Sequence, residues 1–180
     1  MNDKKVKVAV IGAGTAGLSA FKEVYKVTPD CVLINGGQYG TTCARVGCMP
    51  SKVFIQIAND FYNRHSFKQQ GIKNSDKLIL DKVEMMKYVR SLRDHFVSGV
   101  LKSVDKLGDK NIEGFARFVE PNVLDVDGIK VIADTIIIAN GSSPIIPNSW
   151  QDYGDKIITT DDIFEQEFLP DDMAVIGAGA

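Results

Sequence analysis

The hydrophobic positions change period twice along this chain. Lys5 to Ile11 reads KVKVAVI, a short β-branched run that predicts a strand, and the helix-forming stretch Leu18 to Lys26 follows it. A second apolar strand, Cys31 to Ile34, ends at Asn35. From Ser51 to about Gln70, Phe54, Ile57, Ala58, Phe61 and Tyr62 recur at helical spacing, and Gly71 ends the run. After a polar connector from Gly71 to Lys77, a longer helix is expected from about Asp81 to Leu107. Met85, Val89, Leu92, Phe96, Val100 and Val104 form its apolar stripe, which reads as core rather than chemistry.

Beyond Gly108 the period shortens to that of strands. Asn111 to Phe118, Val123 to Val126, Lys130 to Ile132 and Thr135 to Ala139 are strand candidates, separated by Pro121-Asn122 and by Asp127-Gly128, a tight-hairpin signal. The last of them is continuously apolar, as for a strand covered on both faces. It runs into Asn140-Gly141-Ser142, a turn at the carboxyl edge of a parallel sheet, where open α/β folds bind ligands. The fold class expected is α/β: a Rossmann-like domain with a parallel sheet, two long helices and a small antiparallel β-meander.

Composition narrows the partners. At 180 residues, 44% hydrophobic and 24% charged, the chain can bury one moderate core, and no apolar run approaches the length of a bilayer span. The net charge of −2, with Lys and Arg interleaved among acids, provides no basic footprint for nucleic acid. His65 and His95 lie far apart, so no metal site is expected. Lys4, Lys5 and Lys7 before an apolar stretch superficially resemble a secretory signal, but a leucine-rich centre is missing, and a cytoplasmic location is expected.

Two segments carry candidate chemistry. Between the first strand and helix stands Gly12-Ala13-Gly14-Thr15-Ala16-Gly17. In that order Gly12 allows a tight turn, Gly14 lets the backbone approach a pyrophosphate, and Gly17 lets the helix pack on the strand, with free N–H groups at the helix start. Asn35 stands where a ribose-binding side chain, usually acidic, is expected about 20 residues further on. The second segment, Gly40 to Lys52, reads GTTCARVGCMPSK. Cys43 and Cys48 could be free buried thiols, half of a metal site, or a redox couple. In a regular helix residues five apart lie roughly 8 to 9 Å apart, against the roughly 4.4 to 6.8 Å a disulfide needs, so bonding would require the backbone to leave helix. Gly47 permits that, and Pro50 suits a helix restart. Cys31 is left over and reads as a buried core residue.

Together these residues resemble the FAD-dependent pyridine nucleotide-disulfide oxidoreductases, the family of dihydrolipoamide dehydrogenase, glutathione reductase and mercuric reductase. GTTCARVGCMPSK is similar to that family's redox-active disulfide segment. The resemblance implies that Cys43 is the interchange thiol, Cys48 the thiol against the flavin, and Lys52 a cation near the flavin ring. It implies FAD contacts from Gly12 to Gly17, from Asn35, from Gly40, Thr41 and Thr42, from the backbone at Ala116 in Gly114-Phe115-Ala116, and from Ala139, Asn140, Gly141 and Ser142. Tyr39 departs from the family by replacing a glycine before Gly40, Asn35 replaces an acid, and Ala44-Arg45 is unusual; Arg45 could steady a thiolate or receive an anionic substrate. Ser51 looks more like dihydrolipoamide dehydrogenases and mercuric reductases than glutathione reductases.

Asp172 to Ala180 repeats the opening strand and glycine turn, with Gly177 and Gly179 as the start of a second, nicotinamide-binding unit. Residues 1–171 are then expected as the N-terminal portion of an FAD domain and 172–180 as the start of an NAD(P) domain, the whole being a fragment of a longer, homodimeric enzyme and inactive alone. The function expected is electron transfer between NAD(P)H, FAD and a small disulfide or dithiol substrate, most like dihydrolipoamide dehydrogenase. A glutathione- or mercuric-reductase-like enzyme, or a non-catalytic nucleotide-binding subunit, are the alternatives.

Overall fold

The computed structural model describes residues 3–177. Eleven elements carry the argument: β1 (Lys4–Ile11), α1 (Thr15–Val27), β2 (Cys31–Asn35), α2 (Thr42–Arg45), α3 (Cys48–Tyr62), α4 (Arg64–Phe67), α5 (Lys82–Asp105), β3 (Asn111–Glu113), β4 (Ala116–Glu120), β5 (Val123–Val126) and β6 (Ile129–Ile138). The strands form one six-stranded sheet in the order β3-β2-β1-β6-β5-β4. β1 is parallel to β2 and β6, and β2 to β3, whereas β5 pairs antiparallel with both β6 and β4.

The expected meander is therefore the continuation of the parallel sheet. Lys130 to Ile132 and Thr135 to Ala139 are one strand, because β6 follows β1 from Lys4↔Val131 to Ile11↔Ile138. Conversely, Asn111 to Phe118 is two strands. It breaks at Gly114, whose φ is 152°; a Cβ there would stand 2.8 Å from Val126 Cγ1 and 2.9 Å from Asp127 Oδ2. Asp127 (φ 47°) and Gly128 (φ 90°) make the hairpin turn signalled by their sequence.

Alternation along β2 divides its side chains between the two faces. Val32 and Ile34 join Ile112, Leu124 and Val126, so the antiparallel strands cover one face. Cys31 and Leu33 join Val10 and Phe21 beneath α1. Cys31 is 2% exposed, as a core thiol should be. Burying each of these aliphatic side chains stabilises the fold by roughly 1.5–3 kcal/mol. The end of β6 is less covered than its sequence implies, since Ile138 is 62% exposed.

Helix boundaries follow local chemistry. Asp81 begins α5 by accepting from Val83 N (2.9 Å) and Glu84 N (3.0 Å). Of its expected stripe, Met85, Val89 and Val104 are buried, while Leu92, Phe96 and Val100 are half-buried. Arg93 is also buried, paired with Glu165 at 2.5 Å and Asp94 at 2.9 Å, which ties α5 to the turn at Ile163–Glu165. α3 starts at Cys48 rather than Ser51 and ends at Tyr62 rather than near Gln70. Pro50 fits its first turn, where no N–H is required. The break follows from Asn63 O accepting both Ser66 N (3.0 Å) and Ser66 Oγ (2.9 Å). Tyr62 and Ala58 face solvent, so the buried side of α3 is narrower than the apolar spacing implies.

Candidate active site

The glycine turn lies at the carboxyl end of β1. Gly12 has φ 102°, and a Cβ there would stand 2.2 Å from Ala139 O and 3.2 Å from Asn140 Cα, so the turn touches the end of β6. A Cβ on Gly17 would stand 1.8 Å from Gly12 O. Gly14 differs: its Cβ would meet nothing within 4 Å. It caps α1 without a side-chain bond, and the first turn holds no acid. The first intrahelical bond is Leu18 N to Gly14 O, 2.9 Å, which leaves the N–H groups of Thr15, Ala16 and Gly17 without helical acceptors. Open space in front of uncapped N–H groups fits a pyrophosphate.

Asn35 is already committed to backbone. Its Oδ1 accepts from Ala13 N at 3.0 Å and its Nδ2 donates to Gly37 O at 2.7 Å, so it ties the glycine turn to the chain leaving β2. Tyr39 anchors the next step by packing on the core beneath α1 and donating to Asn111 Oδ1 at 3.1 Å. A cavity of about 280 Å³ opens here between Asn35, Gly37, Tyr39, Glu113, Gly114 and Phe115. Asp127 Oδ2 accepts from Phe115 N at 3.1 Å and fixes the far wall. The sequence marks Tyr39 only as a departure before Gly40 and does not single out Glu113; the signal for Glu113 is its place immediately before Gly114-Phe115-Ala116.

The cysteine segment leaves regular helix between its two thiols. Cys43 lies in α2 and Cys48 opens α3. Val46 N donates to Thr42 O at 3.0 Å and closes the first helix. A Cβ on Gly47 would stand 3.0 Å from Thr42 O and 3.4 Å from Cys43 Cα, so a bare backbone is what lets α3 start this close. Both cysteines are free thiols, Cys43 half-buried and Cys48 exposed. Lys52 lies four residues after Cys48 on the same face of α3 and is exposed. The stem of Arg45 packs over Gly40 beside Val97. An almost wholly apolar cavity of about 360 Å³ adjoins the segment at Val46, Gly47, Ser51, Phe54 and Ile55.

Hydrogen bonding to Cys48, then burial, push the Cys43 thiol up from its ordinary value of 9.0. A raised value favours the protonated form in the fold. The resulting stability is complete below pH 9 and is lost as pH rises through the folded value. Iodoacetamide labelling of Cys43 in the reduced, FAD-free protein is therefore expected to titrate above 9.0, and Cys48→Ala should bring the midpoint down. A midpoint at or below 9.0, or one that ignores Cys48→Ala, would refute this. A thiol held protonated needs a proton acceptor to attack anything at neutral pH. Neither histidine acts on Cys43; His65 lies edge-on to Tyr62 and His95 to Phe96.

Thr41 is the strained residue of the segment. Its φ of 63° with ψ of 148° is a conformation that suits glycine, whereas Tyr39 has no positive φ. The glycine-favouring positions here are thus Gly40, with φ 120°, and Thr41. Thr41 Oγ1 repays part of that strain by accepting from Ala44 N at 3.1 Å. Thr41→Gly relieves about 2 kcal/mol of strain and loses a few tenths of capping, plus up to about 1 kcal/mol of chain entropy, a net gain of about 1 kcal/mol. Thr41→Ala keeps the strain and loses about 1 kcal/mol of cap. Urea midpoints should move in opposite directions; movement in the same direction would refute the assignment.

The structure thus brings together Gly12 to Gly17, Asn35, and Ala139 and Asn140, with Gly114 to Ala116 beside them, and separately the Cys43–Cys48 pair with Lys52. Gly141 (φ 73°) and Ser142 follow Asn140 and are exposed. Residues 172–177 form no strand, since no neighbouring strand pairs with them, and Val175 and Ile176 are 82% and 74% exposed. Gly177 is exposed with φ 111°, and Gly179 lies outside the described residues. Among the described residues no helix is long and apolar enough to cross a membrane.

Known proteins match over nearly all of this chain. The model of the pyridine nucleotide-disulphide oxidoreductases matches residues 6–180. Glutathione reductase of Schizosaccharomyces pombe is 34% identical over 94% of this chain and 38% of its own length. Dihydrolipoyl dehydrogenase 2 of Arabidopsis thaliana is 27% identical over 94% and 30%, and mercuric reductase of Lysinibacillus sphaericus 25% identical over 99% and 33%. This chain spans about a third of the length of these curated relatives. An HOCl-induced flavoprotein disulfide reductase of Escherichia coli, solved as a Cu(II) complex, shares the fold with a TM-score of 0.72 at 18% identity, over 91% of this chain and 34% of that one. With the glycine turn, the mostly parallel sheet and a family model matched from Val6 onward, the chain belongs to the pyridine nucleotide-disulphide oxidoreductases, a family that binds FAD and uses NAD(P)H.

Proposed function

We propose that residues 1–171 are the FAD-binding portion of a flavoprotein disulfide oxidoreductase whose redox pair is Cys43–Cys48, and that 172–180 begin its NAD(P)-binding unit. The observation that carries this reading is the break between α2 and α3 at Gly47, which starts α3 against the end of α2 and so sets Cys48 close to Cys43 although they are five residues apart. Thr15, Ala16 and Gly17 would hold the pyrophosphate of FAD by their N–H groups, and the cavity at Asn35 would take its adenosine end. When bound, FAD supplies the two-electron relay between NAD(P)H and the cysteine pair.

The thiol chemistry balances within the pair. The Cys43 thiolate attacks one sulfur of a small disulfide, forming a mixed disulfide and releasing one thiolate, which takes up a proton. The Cys48 thiolate then attacks Cys43 Sγ, closing Cys43–Cys48 and releasing the second thiolate. Two electrons pass to the substrate, and the reverse sequence oxidises a dithiol. Because Cys43 is held protonated, its proton needs an acceptor, which a homodimeric partner would supply.

Within this class we favour a dihydrolipoamide substrate, supported by Ser51 after Pro50, whose Oγ donates to Cys48 O at 3.1 Å, and by the relatives named dihydrolipoyl dehydrogenase. Free cysteines among the described residues and the lack of a membrane-crossing helix there are compatible with the cytoplasmic location we propose. Steady-state assays of the FAD-loaded full-length protein with dihydrolipoamide, glutathione disulfide and Hg(II) test this. Turnover of dihydrolipoamide at least tenfold above the others supports the reading; preference for either of the others replaces it, and no turnover with any favours a non-catalytic subunit.

A further inference from the structure

The adenosine end of the proposed FAD site lacks its usual acid, because Asn35 ends β2 and both ends of its amide already bond backbone. A vicinal diol is best accepted by a carboxylate, whose two oxygens can each take one hydroxyl. In the parallel pairing of β2 with β3, Asn35 stands opposite Glu113. Paired residues on neighbouring strands project to the same side of a sheet, with backbones about 4.8 Å apart. Glu113 accordingly lines the same cavity as Asn35, Gly36 and Gly37.

The other carboxylate of the cavity is Asp127, which is engaged by Phe115 N at 3.1 Å. No described residue bonds the Glu113 carboxylate, and Glu113 is exposed to the cavity mouth. Tyr39 reports its proximity: burial above all, with a contribution from the Glu113 charge, pushes the Tyr39 hydroxyl up. We propose that Glu113, at the end of β3, is the residue that accepts the ribose hydroxyls of the FAD adenosine, in place of an acid at the end of β2. This rests on the FAD-binding reading given above.

Charge alone argues against a tight site here, since an acid close to a diphosphate repels it. Removing that charge without a specific contact would tighten FAD binding. Loss of affinity on Glu113→Gln is thus a signature that general electrostatics cannot produce. The experiment titrates the full-length apoprotein, Glu113→Gln and Glu113→Asp with FAD and with the analogue carrying 2′-deoxyadenosine, following flavin fluorescence, with thermal melts as the control for folding.

The expected result is that the unmodified protein prefers FAD to the deoxy analogue about tenfold, that Glu113→Gln weakens FAD about tenfold and binds the two flavins equally, and that Glu113→Asp keeps a reduced preference. FAD binding by Glu113→Gln equal to or tighter than that of the unmodified protein, or an undiminished preference for FAD, overturns the proposal. If the unmodified protein binds neither flavin, the FAD reading itself fails and this inference with it, which separates the two failures.

Discussion

Gly17→Ala is expected to abolish folding, while Gly14→Ala leaves the fold intact and removes FAD. The added methyl on residue 17 would stand 1.8 Å from Gly12 O, and the obstructing atom is backbone in the turn that is itself pinned against Ala139. No rotamer relieves such an overlap, so helix and strand must separate. Ordinary overpacking costs about 1–3 kcal/mol, and this overlap exceeds it, against a total stability of roughly 5–15 kcal/mol. Gly12→Ala adds a left-handed φ of 102° to a 2.2 Å approach and should behave alike. At Gly14 the backbone is extended, φ −78° and ψ −174°, and the methyl enters open space. Alanine there should be neutral to about 1 kcal/mol stabilising. That same space fronts the N–H groups of Thr15, Ala16 and Gly17, so a pyrophosphate would be displaced and FAD affinity should fall at least about tenfold. Urea denaturation separates the first pair from the third, and fluorescence titration with FAD reads the third. Undiminished FAD binding by Gly14→Ala would mean that this turn does not hold the pyrophosphate.

The second large effect concerns the thiols. Cys43→Ser and Cys48→Ser should each lower disulfide turnover by on the order of 10³-fold or more, because a hydroxyl cannot exchange with a disulfide. FAD affinity and melting midpoint should change little, since Cys48 is exposed, Cys43 is only half-buried, and serine is close to cysteine in size. Cys31→Ser is the internal control with the opposite signature. Cys31 is 2% exposed in the core beneath α1, so a hydroxyl there lacks a partner and should cost roughly 1–3 kcal/mol of stability without touching the redox chemistry. Retained turnover in Cys43→Ser would remove this residue from the exchange step.

How much the sequence disclosed depends on whether the deciding physics is local. The glycine turn is legible because each glycine answers a separate local demand: Gly12 takes a left-handed φ in a tight turn, Gly17 sits against Gly12 O, and Gly14 faces open space. The break between Cys43 and Cys48 was legible from Gly47 and Pro50 for the same reason. Asp127-Gly128 needed only its own backbone. Long-range pairing was less visible: nothing within Lys130 to Ala139 shows that β1 will run beside all of it and weld two strand candidates into β6. The split at Gly114 likewise arises from Val126 and Asp127, distant in sequence. Among site residues, Asn35 looks like a ligand-facing polar group until its amide is seen bonding Ala13 N and Gly37 O. Glu113 acquires meaning only from its register opposite Asn35. That the stem of Arg45 lies over Gly40 beside Val97 likewise follows from packing against α5 and not from its place between the cysteines.

The redox pairing of Cys43 and Cys48 against bound FAD is tested most directly by anaerobic two-electron reduction of the FAD-loaded full-length protein, followed by its long-wavelength absorbance. A broad band beyond the flavin envelope, present in the unmodified protein, kept by Cys43→Ser and abolished by Cys48→Ser, is the expected result, because Cys48 is the thiol assigned to the flavin. A flavin-replete protein that bleaches without that band, or a band that survives Cys48→Ser, would contradict the assignment.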